Sequence, residues 1–198
     1  MRFARWRAAR REGLRLDASV SPHLRFARLE IAESARLEIG PRFFTERQPG
    51  NHFFLHAHAR VRLGAECWLR TEYGRNHITA FEGATVDVGP GAFINGAMLH
   101  AKREIRIGCD LRMGFGSRIL DADLHDVDCE TPERIAPVSI GDRVWLGADV
   151  LVLRGASIGD DVVIGAGSVV TGAIPARCVA VGAPARPVRS IASREGCR

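Results

Sequence analysis

From Val138 to Val181 aliphatic side chains return at every sixth position, Ile140, Leu146, Val152, Ile158, Ile164 and Val170, with small or polar residues between them. Glycine follows four of the six, at Gly141, Gly147, Gly159 and Gly165. With glycine at about 7% of average composition, four in those six slots arise by chance with a probability on the order of 10⁻⁴. A period of six matches neither the i, i+3, i+4, i+7 face of a helix nor the alternation of a half-buried strand. It predicts a short strand and a turn used over and over, with the aliphatic residue inward and glycine at the bend, where a missing Cβ relieves crowding. A second set, Val144, Val150, Ala156, Val162 and Ser168, stands four places after the aliphatic position and is expected to flank the bends. Such coils stack roughly 4.8 Å apart and bury a continuous column that no single coil buries alone.

Weaker echoes precede this run, at Ile39-Gly40, Leu63-Gly64, Val88-Gly89 and Ile107-Gly108. The step from Ile39 to Leu63 is a multiple of six, whereas those from Leu63 to Val88 and from Val88 to Ile107 are not, which predicts small insertions in the early coils. Strand-like sequence starts at Val20. Between Gly114 and Ser139 the period fails, and 121–137, polar and carrying Pro132 and Pro137, reads as one protruding loop. Loops of that length inside a regular scaffold carry function. The expected organisation is an all-β solenoid over 20–182, preceded by an Arg-rich arm or cap over 1–19 and followed by a short cap over 183–198. Trp6 and Leu14 are the candidate anchors of the arm, as a short amphipathic helix or a loose segment.

The 198 residues suit one domain. A net charge of +5 raises the question of nucleic acid, but Lys102 is the only lysine among 28 basic residues, a bias that fits GC-rich coding better than a phosphate-binding surface. No run of 18 apolar residues is present, so no membrane span is expected. The basic N-terminus has no apolar stretch behind it, which argues against a secretory signal and for the cytoplasm. Cys67, Cys109, Cys129, Cys178 and Cys197, odd in number and without C-x-x-C spacing, read as free thiols in a reducing compartment. Neither a phosphate-binding G-x-x-x-x-G-K-[ST] loop nor a dinucleotide fingerprint is present.

The six-residue run, with VWLG at 144–147, GAGSVVT at 165–171 and VGAPARPVR at 181–189, resembles the hexapeptide-repeat acyltransferases, in particular the maltose, galactoside and nodulation-type O-acetyltransferases. The resemblance implies a left-handed parallel β-helix with three hexapeptides per coil, although parallel crossovers are in general right-handed. It implies acetyl-CoA as the acyl donor, no metal, and a homotrimer whose active sites lie between subunits. Trp68 and Trp145 are candidate contact residues of that assembly. His125, at the start of the interrupting loop, matches the family's essential histidine, and an imidazole with pKa near 6.5 suits a general base that deprotonates an acceptor hydroxyl. Asp126 follows it where the family has Pro, which leaves the backbone less restrained. Asp121, Asp123 and Asp126 are all candidates to fix the imidazole tautomer.

By the same resemblance Asn95 lines the site between donor and acceptor, and Gly96 and Ala97 replace the usual Phe-Asn, implying a roomier acceptor pocket. Ala148 stands where relatives often carry Ser, leaving a backbone N–H as the expected oxyanion donor. Ala166 and Thr171 match pantetheine contacts, and Gly172 replaces a frequent Lys. Arg186 and Arg189 match the family's basic pair, suited to the phosphates of coenzyme A. The expected reaction is acetyl transfer from the thioester to a sugar or saccharide hydroxyl. N-acetylation of an amino sugar and O-acetylation of a xenobiotic are variants of it. Two other classes compete: a γ-carbonic-anhydrase-like metalloenzyme using His77, His100 and His125, and a non-catalytic β-helix scaffold. Cys129, shortly beyond His125, suggests a thiol nucleophile, but direct transfer needs no covalent relay.

Overall fold

The structure, a computed structural model, describes residues 13–17 and 19–195. Its strands form three sheets of eight, eight and seven strands, parallel except for the last strand of one, and these are the three faces of a prism around which the chain winds. Each turn visits the first face (Arg36–Ile39, for example), then the second (Phe44–Thr45), then the third (Asn51–Leu55). The aliphatic series holds to the residue: Ile140, Leu146, Val152, Ile158, Ile164 and Val170 are all buried. The second set is buried as fully, with Val144, Val150 and Val162 at 0% exposure, so both sets line the core rather than one of them flanking it.

In register along the first face stand Leu63 on Ile39, Val88 on Leu63, Ile107 on Val88, Ile140 on Ile107, Ile158 on Ile140 and Ile174 on Ile158. The regular step, from Ile140 to Ile158, is three hexapeptides to one coil. The three earlier intervals, Ile39 to Leu63, Leu63 to Val88 and Val88 to Ile107, are therefore single coils as well, including the one that is a multiple of six. Their additional residues partly widen the coil. On the third face the strands grow from two residues at Leu151–Val152 to five at Asn51–Leu55 and Asn76–Ala80, each with an additional inward position. Phe43 and Phe53, both at 0% exposure, fill the broader interior.

The corners explain the glycines. Where the first face turns into the second, Gly64, Gly89, Gly108, Gly141 and Gly159 stack, and a Cβ on Gly108 would stand 2.8 Å from the Gly141 backbone. Two residues beyond Gly40, Gly64, Gly108, Gly141 and Gly159 the chain enters the left-handed region, at Arg42, Glu66, Asp110, Arg143 and Asp161 with φ from 52° to 60°, and Gly91 takes that place after Gly89 at φ 74°. Such values are uncommon outside glycine, Asn and Asp, and the identical corner recurs because each coil hydrogen-bonds to the last, as Arg143 N–H does to Cys109 O at 2.7 Å.

The N-terminal end departs from expectation. Strand structure starts before Val20: Leu14–Leu16 pairs with Leu37–Ile39, because its alternating leucines continue the inward rows of Leu37 and Ile39. Leu14 is thus in a strand and not in a helix or loose arm, while Trp6 lies outside the described residues. At the far end Ala185–Ser190 turns back antiparallel on Cys178–Gly182. Asp161, only 3% exposed, ties the following segment down by accepting from Arg194 N–H at 2.7 Å and Ser193 Oγ at 3.2 Å. It also holds Arg143 Nε at 2.7 Å, and that hydrogen bond is the first cause that lowers the Asp161 carboxyl to a pKa of about 2.

Candidate functional site

The loop 121–137 leaves the prism at the corner between the third and first faces, after Arg118–Leu120 and before Val138–Ile140. It is a built excursion. Asp123 N–H donates to Arg134 O and Ala136 N–H to Asp121 O, with an antiparallel bridge between Ala122 and Ile135. Two ion pairs clamp it to the coils on either side: Lys102 Nζ to Glu133 Oε2 at 2.7 Å, and Arg154 Nε to Asp123 Oδ1 at 2.5 Å.

His125 is exposed on this loop. Its neighbours are held at one point. Leu124 N–H donates to Glu133 Oε1 at 2.8 Å, and Glu133 N–H donates to Asp126 Oδ1 at 2.7 Å. Leu124 itself sits at φ 73°, a strained value for a branched side chain that the surrounding bonds must maintain. Glu133 thus supplies, from further along the loop, the restraint that a proline after the histidine would give. None of the three candidate aspartates is hydrogen-bonded to His125 among the described residues. Asp121, 0% exposed, accepts from the backbone N–H groups of Lys102, Arg103 and Glu104 at 2.6–2.8 Å and anchors the base of the loop. Asp123 holds Arg154, and Asp126 holds Glu133.

Asn95 lies elsewhere, at the end of Phe93–Asn95 on the second face, where the chain turns toward the third. It is 7% exposed and its Oδ1 is buried without a hydrogen-bond partner. Buried polar groups are rarely left so, and each exception asks for an explanation. Ala148 and Ala166 occupy the same corner lower down, in Gly147-Ala148-Asp149 and Gly165-Ala166-Gly167, with Gly167 N–H donating to Ala148 O. A Cβ on Gly147 would stand 2.7 Å from Ala166 N, so this edge is kept close and smooth. Arg186, exposed, is register partner of Val181 at the lower end of that corner, whereas Arg189 pairs with Val179 further along the strand.

Thr171 does not join this group. It follows Val169–Val170 on the third face, two strands from Arg118–Leu120, and so shares the corner of the His125 loop. The expected site residues therefore fall on two corners of one chain. Asn95, Ala148, Ala166 and Arg186 lie on the edge between second and third faces, His125 and Thr171 on the edge between third and first. A strand of about three to five residues at ~3.3 Å each, on the order of 10 to 15 Å, separates the edges.

Three features carry no signal that the motifs expose. Glu133 gives none locally, because its partners are set by the loop's fold. Asn51 and Asn76 form a buried ladder beside the Asn95 corner, with Asn76 Nδ2 donating to Asn51 Oδ1 at 2.8 Å and Asn76 Oδ1 accepting from Ala97 N–H at 3.0 Å. Phe115, 46% exposed, stands in Gly114-Phe115-Gly116 where later coils place Ala148 and Ala166, a contrast that comparison of the repeats could have found. The outward residues Trp68 and Trp145 are 42% and 47% exposed on the second face. Among the described residues no group of three or more His, Cys, Asp or Glu is placed to hold a metal ion, so His77, His100 and His125 do not converge in one chain. Among them, too, no helix is long and apolar enough to cross a membrane.

Three-hexapeptide coils on three parallel faces, broken by one loop that carries a histidine, define a hexapeptide-repeat β-helix. Residues 137–172 match the family described as bacterial transferase hexapeptide (six repeats). The galactoside O-acetyltransferase of Lactococcus lactis is 36% identical over 134 residues, covering 65% of this chain and 62% of that protein. A structure of galactoside acetyltransferase in complex with coenzyme A aligns at a TM-score of 0.53 with 29% identity, covering 70% of this chain and 67% of the other. The polySia-specific acetyltransferase NeuO aligns at 0.56 with 21% identity, covering 94% and 90%, a likeness of fold. The chain spans less than two thirds of the length of the curated relatives it matches first. Residues 137–172 carry the six-residue repeat of that family, and the coil is a left-handed parallel β-helix.

Proposed function

We propose that this chain is an acetyl-CoA-dependent O-acetyltransferase that acts on a hydroxyl of a sugar or saccharide-type acceptor, with its sites between the subunits of a homotrimer. One observation carries the reading: the residues expected to serve one reaction are divided between two edges of the prism. A single chain leaves them apart, whereas in a threefold assembly the edge bearing Asn95, Ala148, Ala166 and Arg186 meets the next copy's edge bearing the His125 loop and Thr171. The likeness to galactoside O-acetyltransferases supports the same reaction class. Exposed Trp68 and Trp145 are contact candidates, and the free thiols of Cys67, Cys109, Cys129 and Cys178 suit a cytoplasmic protein.

The donor fits this groove. Glycine and alanine at Gly147, Ala148, Gly165 and Ala166 leave the edge without bulk, so a pantetheine arm lies against backbone, while exposed Arg186 and Arg189 meet phosphates. His125 takes the proton of the acceptor hydroxyl as that oxygen adds to the thioester carbonyl. The Ala148 N–H receives the oxyanion. His125 then returns the proton to the departing coenzyme A sulfur, and no covalent enzyme intermediate forms. The test is release of free thiol from acetyl-CoA across a panel of sugars, amino sugars and glycosylated natural products, with the molecular mass followed by sedimentation. Acceptor-dependent thiol release by a trimer is expected. A monomer, or a trimer with no release for any acceptor, overturns the proposal.

A further inference from the structure

The unpartnered Asn95 Oδ1 lies at a corner that also carries two exposed aromatic rings, which the proposed reaction does not by itself require. Ile94 points into the core at 1% exposure, so alternation along the strand turns Asn95 outward. Its register partner on one side is Arg70, and on the other side Ile94 pairs with Met113, which sets Gly114 beside it. The next residue, Gly96, has φ 55°, and a Cβ there would stand 3.0 Å from the Gly74 Cα, so no side chain covers this point from its own coil. Tyr73, 63% exposed, and Phe115, 46% exposed, come from the coils on either side and meet with ring centroids 6.0 Å apart at 40°. The coils are fixed there by Gly96 N–H to Arg70 O at 3.2 Å and Gly116 N–H to Gly96 O at 2.9 Å. The aromatic surface that the sequence lacks at 96–97 is thus present, contributed by neighbouring coils.

The charge around it narrows the ligand. The Arg70 guanidinium lies 5.9 Å from the Tyr73 ring and 5.8 Å from the Trp68 ring, but it is paired with Glu72 and lies 3.8 Å from Glu46. Glu46 and Glu72 offset Arg70 and the exposed Arg75 next to Gly74, so these charges give no net attraction for an anion. We propose that Tyr73 and Phe115 form the acceptor wall of the site, stacking on the apolar C–H face of a neutral pyranose whose hydroxyl donates to Asn95 Oδ1. This rests on the acetyltransferase reading and narrows its acceptor class.

The test uses the full chain, with saturation-transfer NMR of neutral methyl pyranosides against N-acetylneuraminic acid, acceptor KM in the thiol-release assay, and calorimetry with coenzyme A. Tyr73→Ala and Phe115→Ala are each expected to raise the pyranoside KM about tenfold, in line with the worth of an aromatic contact. Coenzyme A affinity should stay the same, and Phe115→Trp should retain acceptor binding. Unchanged acceptor affinity in both alanine variants, or preference for the acidic sugar, overturns the wall and leaves the proposed reaction standing. A wild-type protein that binds no coenzyme A overturns the reaction instead, and the wall then stands or falls on the NMR signal and its loss in the same two variants.

Discussion

The coils from Val138 to Gly182 and those from Arg28 to Ile107 share three faces and one core, yet they solve different problems. The later coils follow the three-hexapeptide step of Ile140 to Ile158, with two-residue strands and alanine or glycine at the edge between second and third faces. The earlier ones are longer, with five-residue strands, a buried Asn51–Asn76 ladder and, at that edge, Tyr73, which meets Phe115 of the coil that follows them. On the proposed reading, minimal coils give a smooth, uniform edge suited to the unvarying donor. Widened coils give relief and polar groups, suited to recognising one acceptor among many. The histidine loop is inserted where the two regimes meet, between the register partners Ile107 and Ile140.

Removing the chemistry at that junction should have the largest effect and leave both halves intact. His125→Ala is expected to lower turnover by about 10² to 10⁴-fold, with coenzyme A affinity by calorimetry and the acceptor NMR signal both retained. Near-normal turnover would reject His125 as the base. Glu133→Ala comes next. It removes the acceptor of Leu124 N–H and the partner of Lys102, so His125 loses its fixed position while keeping its chemistry. A displacement of about 1 Å costs up to about 10²-fold. The decline should appear in kcat, with the pH profile unshifted and donor KM unchanged. A shifted profile would mean that Glu133 acts on the imidazole itself.

The same contrast decides what can be read from the chain. A period of six announces itself, because every inward residue from Ile140 to Val170 occupies an identical environment and small deviations would break the stack. The early coils keep only the Ile39, Leu63, Val88 and Ile107 marks, since wider faces admit any spacing that restores the register. Motif alone proposes His125, Asn95, Ala148, Ala166 and Arg186 as site residues, but their division between two edges is a property of the winding and not of any short segment. Glu133, Asp161 and Tyr73 are invisible for a related reason. Arg143 and Phe115 stand in other coils and Leu124 at the other end of the loop, each brought close only by the fold.

The donor half is probed by Arg186→Ala, a smaller change. If the smooth edge below Ala166 ends at the phosphates of coenzyme A, the donor KM should rise several-fold while kcat and acceptor KM hold, the signature of lost uniform binding. Loss of acceptor affinity instead would dissolve the assignment of one half to each ligand.

The mildest test is acid, and it acts on one half alone. All seven histidines precede Ala136, and the regular coils contain none. On the third face of the wide coils His77 and His100 are both held below the ordinary value of 6.5, first by burial, then by His52 and Arg75 around His77 and by His77 near His100. Because the unfolded chain takes up these protons first, their contribution to stability is present above pH 6.5 and declines as the pH falls below it. Hydrogen exchange should therefore show the amides of Asn51–Leu55, Asn76–Ala80 and Met98–Ala101 losing protection under mild acid before those of Trp145–Leu146 and Val163–Ile164. His100→Asn should flatten that difference. Uniform loss of protection along the solenoid would mean that wide and narrow coils unfold as one unit, and that the division between them is one of shape and not of stability.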